Sequence, residues 1–170
     1  GELLAKLANF YSESIINNNI EYDFIFGPAY KGITLATSIS NSLYNAHNII
    51  KPFCFNRKEI KKHGESGIFV GSQPKGRALI VDDVISSGKY IIESIDLLSN
   101  NNATPSTVLV AFDRMERGAN EKASLEISSK YSIPVFSIIT LDDIIEFLTS
   151  EKMMAVELNS MIKYMKIYKG

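Results

Sequence analysis

The chain is expected to fold as an α/β domain on a parallel sheet, and two patterns in its sequence carry that expectation. Short unbroken apolar runs recur (Phe24-Ile25-Phe26, Ala78-Leu79-Ile80-Val81 and residues 108–112), each closed by a polar or small residue. A strand covered on one face alternates apolar and polar positions, so a run without alternation has both faces buried, as in a parallel sheet. Between these runs lie stretches of helical periodicity, and strands alternating with helices are the rhythm of βα units packed on both sides of one sheet.

The elements follow in order. Over residues 3–16, Leu4, Leu7, Ala8, Tyr11 and Ile15 share one helical face, and Asn17, Asn18 and Asn19 end the helix. A strand over 24–26 closes at Gly27-Pro28, a helix follows over 33–43, and a strand over 52–55 comes next. Residues 60–75 are rich in charge and glycine and hold one short strand candidate, 68–70. Strand 78–81, helix 89–98, strand 108–112, helix 121–131 and strand 135–138 continue the alternation. Thr140 and Asp143 have capping-box spacing for a helix over 141–148, and a last helix is expected near 152–168. With neither linker nor internal repeat, the 170 residues read as a single domain, 1–170.

Composition narrows the function. A net charge of −1 gives no electrostatic reason to expect nucleic acid or an acidic membrane surface as a partner. No apolar run approaches the roughly 18 residues of a membrane span. Cys54 is the single cysteine and cannot form an internal disulfide, which fits a reducing compartment, and a cytoplasmic location is expected. The chain opens at Gly1-Glu2 already inside a helical pattern, so a further N-terminal segment is expected upstream.

Four segments carry chemistry. In the first, a buried apolar run meets Asp82 and Asp83, then Val84 and Ile85, then Ser86-Ser87-Gly88, before a helix opens at Lys89 and Tyr90. Ligands bind at the carboxyl ends of such strands, and a small-residue turn into a helix presents N–H groups and hydroxyls to a phosphate. Carboxylates for sugar hydroxyls beside a phosphate cradle describe a ribose 5-phosphate pocket. An acidic pair could equally hold Mg²⁺ in a phosphoacceptor domain, but the acceptor aspartate and later lysine of that arrangement are not evident. Neither GxxxxGK[ST] nor GxGxxG occurs, so triphosphate or dinucleotide binding has no support. The second segment, Gly27-Pro28-Ala29-Tyr30-Lys31-Gly32, is a glycine-bracketed strand-to-helix turn with a point charge at Lys31. The third runs from Cys54 to Glu65 and concentrates Arg57, Lys58, Lys61, Lys62 and His63 before the least periodic part of the chain, as in a lid that closes over an anion. The fourth, Phe112-Asp113-Arg114-Met115-Glu116-Arg117-Gly118, places an arginine at another strand end, where a planar guanidinium matches a carboxylate.

The first segment resembles the phosphoribosyl diphosphate signature of type I phosphoribosyltransferases. The second resembles GPAYKG, the third FNRKEAKDHGEGG and the fourth LDRQERG of the orotate phosphoribosyltransferases, in the same order and similar spacing. The resemblance implies a type I phosphoribosyltransferase fold: a five-stranded parallel core sheet flanked by helices, with a flexible lid loop and a small hood. It implies transfer of ribose 5-phosphate from 5-phospho-α-D-ribose 1-diphosphate to orotate, with Mg²⁺ held mainly through the diphosphate and no direct protein ligand. It also implies a homodimer whose lid reaches the neighbouring site, and neither nucleic acid nor membrane as a partner. Tyr30, Lys31, Lys58 and Asp82, Asp83, Val84, Ile85, Ser86, Ser87, Gly88, Lys89 and Tyr90 are thereby expected around the phosphoribosyl diphosphate. Arg57, Lys61 and His63 would serve the partner's site, Ser86 and Arg114 would contact orotate, and Lys61, His63, Asp82 and Asp83 would carry catalysis. The chain departs from the family in three places. Its Ser86-Ser87-Gly88-Lys89 stands for Thr-Ala-Gly-Thr, Lys62 replaces an acidic neighbour, and the family's N-terminal lysine and Phe-Phe pair are absent, as expected of an upstream segment. A purine phosphoribosyltransferase would share the ribose-phosphate loop but has no need of the lid or of Arg114. A regulatory protein on the same fold would bring a nucleic-acid-binding surface.

Overall fold

The computed structural model, which describes residues 1–59 and 67–170, is a six-stranded sheet between two layers of helices. In chain order the elements are α1 (Glu2–Asn17), β1 (Phe24–Gly27), α2 (Lys31–His47), β2 (Phe53–Asn56), β3 (Phe69–Gly71) and β4 (Gly76–Ile85). Then follow α3 (Lys89–Ser99), β5 (Ala103–Asp113), α4 (Ala123–Tyr131), β6 (Val135–Thr140), α5 (Leu141–Ser150) and α6 (Ala155–Tyr168). The strand order is β3-β2-β1-β4-β5-β6. β2, β1, β4, β5 and β6 run parallel, while β3 turns back antiparallel on the β2 edge. The expected parallel core of five strands is present, and 68–70 supplies the extra antiparallel edge strand.

The apolar runs are continuous because each face has its own cover. Alternate residues of β4 enter different cores: Ala78 and Ile80 pack with Ile91, Ile95 and Leu98 of α3 and Ile127 of α4. Leu79 and Val81 pack with Tyr11 and Ile15 of α1 and Leu35, Ile39 and Leu43 of α2. All four β4 residues are fully buried. At about 25 cal/mol per Å² of apolar surface, two-sided burial is the main term holding the central strand in place.

Several boundaries move for reasons of tertiary structure. β4 does not stop at Val81 but runs through Asp82 and Asp83 to Ile85, because β5 continues beside it, with Asp82 opposite Val110 and Ile85 opposite Asp113. α4 starts at Ala123 rather than 121, since the N–H groups of Ala119, Asn120 and Glu121 turn to the Glu126 carboxylate. α6 starts at Ala155 rather than 152, because Lys152 and Met154 take positive φ and break the run. The Thr140 capping box forms as expected, with Asp143 N donating to Thr140 Oγ1 at 3.2 Å and Thr140 N donating to Asp143 Oδ2 at 2.6 Å.

β1 reaches only to Gly27, pairing Phe26 with Ile80, so the flank of β4 beyond Ile80 is open on that side. Chain order reverses here, since β1 leads to β2 on one flank and lies against β4 on the other. Such a switch point leaves a crevice at the strand ends. The turn out of β1 depends on two facing glycines: a Cβ on Gly27 would lie 2.0 Å from the Gly32 carbonyl oxygen, and one on Gly32 2.7 Å from the Gly27 carbonyl carbon. Gly27→Ala is therefore expected to lower the unfolding free energy by about 1–3 kcal/mol, the scale of an overpacked core. Urea unfolding measures this, and a loss below about 0.5 kcal/mol, the scale of an ordinary surface substitution, would contradict it.

Candidate active site

A cleft of about 560 Å³ occupies the switch point, lined by the β1–α2 turn, the end of β2, the end of β4 and the first turns of α3. It gathers seven residues singled out in the sequence: Tyr30, Lys31, Arg57, Lys58, Asp82, Asp83 and Tyr90. The polar end of β4 is its floor. Strand alternation carries Asp83 toward α2, where its Oδ2 lies 2.5 Å from Lys31 Nζ, and Asp82 toward α3. The peptide N–H of Asp83 donates to Asp82 Oδ1 at 2.9 Å, and the buried hydroxyl of Tyr11 donates to the Asp82 carbonyl at 2.6 Å. Two neighbouring carboxylates are thus fixed by different means, one by an ion pair and one by backbone.

Their electrostatics differ accordingly. Burial, reinforced by the charge of Asp83, pushes the Asp82 carboxyl up to about 6. The hydrogen bond and charge of Asp83 hold the Lys31 ammonium above its usual value. Burial raises the Tyr11 hydroxyl as well, keeping it a neutral donor.

The cationic wall comes from the β1–α2 turn and the end of β2. The Ala29–Tyr30 peptide is cis, and Ala29 N donates to Asn56 Oδ1 at 2.9 Å, tying the turn to β2. Lys58 Nζ stands 4.5 Å from the centre of the Tyr30 ring, a cation–π contact at the rim. Arg57 Nη1 donates to Gly67 O at 3.2 Å. Lys61 and His63 lie outside the described residues, as does Lys62.

Below the cleft, Ser86, Ser87 and Gly88 connect β4 to α3. Gly88 has φ of +78°, and a Cβ there would lie 2.6 Å from Ile127 Cδ1, so the turn requires glycine on two counts. No side chain caps α3, which leaves its first-turn N–H groups and the adjoining serine hydroxyls for an anion. The Lys89 side chain is 73% exposed and lies 3.9 Å from Glu93, so it leans along α3 rather than into the turn. Ile85 is buried in the core, and its carbonyl is taken by Arg114 N at 3.0 Å, which leaves little of it for a ligand. Val84 is half-buried, and Ser87 lines a neighbouring cavity between α3 and α4. Arg114 stands apart from the cleft wall, with Nε 3.0 Å from Glu116 Oε1.

Sequence reasoning missed Asn56 and Tyr11 as parts of this site. Tyr11 looked like one more apolar position on α1, and only the fold brings its hydroxyl to Asp82. Asn56 is visible only as a polar residue at a strand end. For a metal, Asp82 and Asp83 offer hard oxygen donors of the kind Mg²⁺ takes. Among the described residues no group of three or more His, Cys, Asp or Glu side chains is placed for one ion, so the donor set fits an ion that shares its shell with substrate oxygens and water.

Comparison with known proteins bears on this geometry. The family model of the phosphoribosyl transferase domain matches residues 1–153. An orotate phosphoribosyltransferase of Thiobacillus denitrificans is 46% identical over 169 residues, covering 99% of this chain and 79% of that protein. Its counterpart in Shigella sonnei is 45% identical over 165 residues, covering 96% and 78%. The crystal structure of orotate phosphoribosyltransferase from Francisella tularensis superposes with a TM-score of 0.84 at 34% identity, covering 100% of this chain and 82% of that one. A strand order that opens a crevice at β1 and β4, an acidic pair on its floor and these relatives lead to one conclusion: the chain belongs to the phosphoribosyltransferase domain family and, within it, to the orotate phosphoribosyltransferases.

Proposed function

We infer that this chain transfers ribose 5-phosphate from 5-phospho-α-D-ribose 1-diphosphate to orotate, giving orotidine 5′-monophosphate and diphosphate, a step of pyrimidine biosynthesis. Family membership supports the reaction, and the observation that supports its location is the cleft that sets Lys31 and Lys58 around Asp82 and Asp83. In the reaction a bond forms between the orotate nitrogen and the anomeric carbon while that carbon's bond to diphosphate breaks. Positive charge grows on the ribose ring and negative charge on the leaving group, so the protein's part is positioning and charge management. Asp82 and Asp83 hold the ribose hydroxyls and favour the developing ring charge. Ser86, Ser87, Gly88 and the N–H groups of Lys89 and Tyr90 receive the 5-phosphate, and Tyr30, Lys31 and Lys58 line the diphosphate path. When bound, Mg²⁺ supplies charge that offsets the diphosphate.

Arg57, Lys61 and His63 complete the reading by neutralising the leaving group, acting on the site of a second subunit in a homodimer. Arg114 receives the orotate carboxylate beside Ser86. The cytoplasm is the proposed compartment, which fits a single cysteine that is buried and free.

An ultraviolet assay of orotate consumption with Mg²⁺ and the diphosphate sugar tests the reaction. Turnover with orotate and none with adenine or guanine is expected; the reverse pattern would overturn the reading. Lys61→Ala is expected to lower kcat by about 10²-fold, as for loss of a transition-state charge contact, with much smaller changes in both KM values. Equal kcat in mutant and parent would remove Lys61 from the mechanism. The acidic pair also predicts a pH effect. Burial raises the Asp82 carboxyl from 3.8 to about 6, so the folded chain holds this proton more tightly than the unfolded chain does. The residue therefore costs no stability below about pH 4 and costs progressively more as pH rises through about 6. Asp82→Asn keeps the shape and the acceptor for Asp83 N. It should melt roughly 3–6 °C higher than the parent at pH 8 and no higher at pH 4, while losing most of its activity. Equal melting temperatures at pH 8 would show that Asp82 carries no such cost.

A further inference from the structure

Arg114 follows β5 directly, and the bond from its N–H to Ile85 O moors its backbone beside the β4–α3 turn. Its side chain is held on one edge only. Nε lies 3.0 Å from Glu116 Oε1, and Nη2 donates to the hydroxyl of Tyr164, which in turn donates to Glu116 Oε1. The guanidinium carbon lies 5.0 Å from the Tyr164 ring centre, so the ring adds a cation–π contact. Among the described residues no hydrogen bond takes Nη1 of Arg114, while Glu116 is mostly buried, with 18% of its side chain exposed. Burial and pairing with Tyr164 and Arg114 leave this carboxylate little freedom to reach elsewhere.

Tyr164 comes from α6, a helix with no fully buried residue. Its half-buried face rests on α5, and the C-terminal residues tie it to the arginine loop. Arg117 N donates to Tyr168 O at 2.7 Å, and Gly170 N to Met115 O at 3.1 Å. Lys169 Nζ reaches both oxygens of Asp142 at 2.7 and 2.8 Å. The backbone bonds land on 115–117, the segment that leaves Arg114. The C-terminal strap and the arginine loop are thus one bonded unit.

We propose that Tyr164 is a positioning residue for Arg114: with Glu116 it occupies the Nε/Nη2 edge of the guanidinium and presents the Nη1/Nη2 edge to the carboxylate of the pyrimidine substrate. α6 thereby becomes a determinant of selection for a carboxylated base. The hydroxyl matters because it is both acceptor and donor: it takes Nη2 and gives to the same Glu116 oxygen that pairs with Nε, so the fork is held at two points rather than one. A phenylalanine keeps the ring beneath the guanidinium and removes only that bridge. The proposal rests on the assignment of Arg114 to the orotate carboxylate made above, and the test separates the two.

Tyr164→Phe, Glu116→Gln and Arg114→Ala are compared in the full chain by steady-state kinetics with each substrate varied, together with inhibition by uracil, a pyrimidine without the carboxylate. Tyr164→Phe should raise the orotate KM about tenfold, the scale of a hydrogen bond to a charged group, and Glu116→Gln should raise it in the same direction. The KM for phosphoribosyl diphosphate should stay within about twofold, an effect too small for a lost contact of that kind, and uracil inhibition should be unchanged. Arg114→Ala should raise the orotate KM further. An unchanged orotate KM in Tyr164→Phe, against a raised one in Arg114→Ala, would overturn the role of Tyr164 and leave Arg114 in place. A rise in both KM values together would mark Tyr164 as merely structural and also overturn the proposal. If Arg114→Ala leaves the orotate KM unchanged, both assignments fall.

Discussion

Two adjacent carboxylates at the end of a strand buried on both faces impose the constraint around which the rest of the site is built. Like charges on neighbouring residues repel, and burial penalises each of them further. The fold keeps them there by gripping β4 from below with Ala78, Leu79, Ile80 and Val81, and by extending β5 beside it through Asp113. Lys31 then offsets one charge, and the bonds from Asp83 N and Tyr11 hold the residue carrying the other. The facing glycines of the β1–α2 turn follow from the same need, because only a turn that tight starts α2 with Lys31 within reach of Asp83.

The arrangement is costly without a ligand and favourable with one. Among the described residues no ion pair forms at Asp82, and burial raises its carboxyl well above the usual carboxylate range. In the proposed reaction, a ribose ring that gains positive charge during bond exchange relieves this, and hydroxyls that donate to both carboxylates relieve part of it before reaction. Only the part of the relief that comes with the developing ring charge is differential binding, and that part accelerates the reaction. In the same proposal, Lys31 and Lys58 on the cationic wall answer the opposite need of the diphosphate. The acidic floor and the basic wall meet at the Lys31–Asp83 pair.

Much of this was legible in the sequence, for identifiable reasons. The apolar tetrad 78–81, closed by charge, marked a strand buried on both faces, and Asp82 and Asp83 at its end marked where the cleft opens. The capping box at Thr140 and Asp143 is local and was equally visible. What could not be read depends on contacts distant in the chain. β4 continues to Ile85 because β5 does, Tyr11 serves Asp82 across 71 residues, and Tyr164 reaches Arg114 across 50. Lys89, one of the chain's departures from the family pattern, leans along α3 toward the i,i+4 carboxylate of Glu93, a contact between exposed side chains.

The most direct test of the account is a crystal structure of the full protein with phosphoribosyl diphosphate and Mg²⁺. The account predicts ribose hydroxyls on Asp82 and Asp83, the 5-phosphate against Ser86 to Lys89, and Lys31 drawn from Asp83 toward the diphosphate. A ligand bound elsewhere, with the Lys31–Asp83 pair undisturbed and the acidic floor bare, would contradict it.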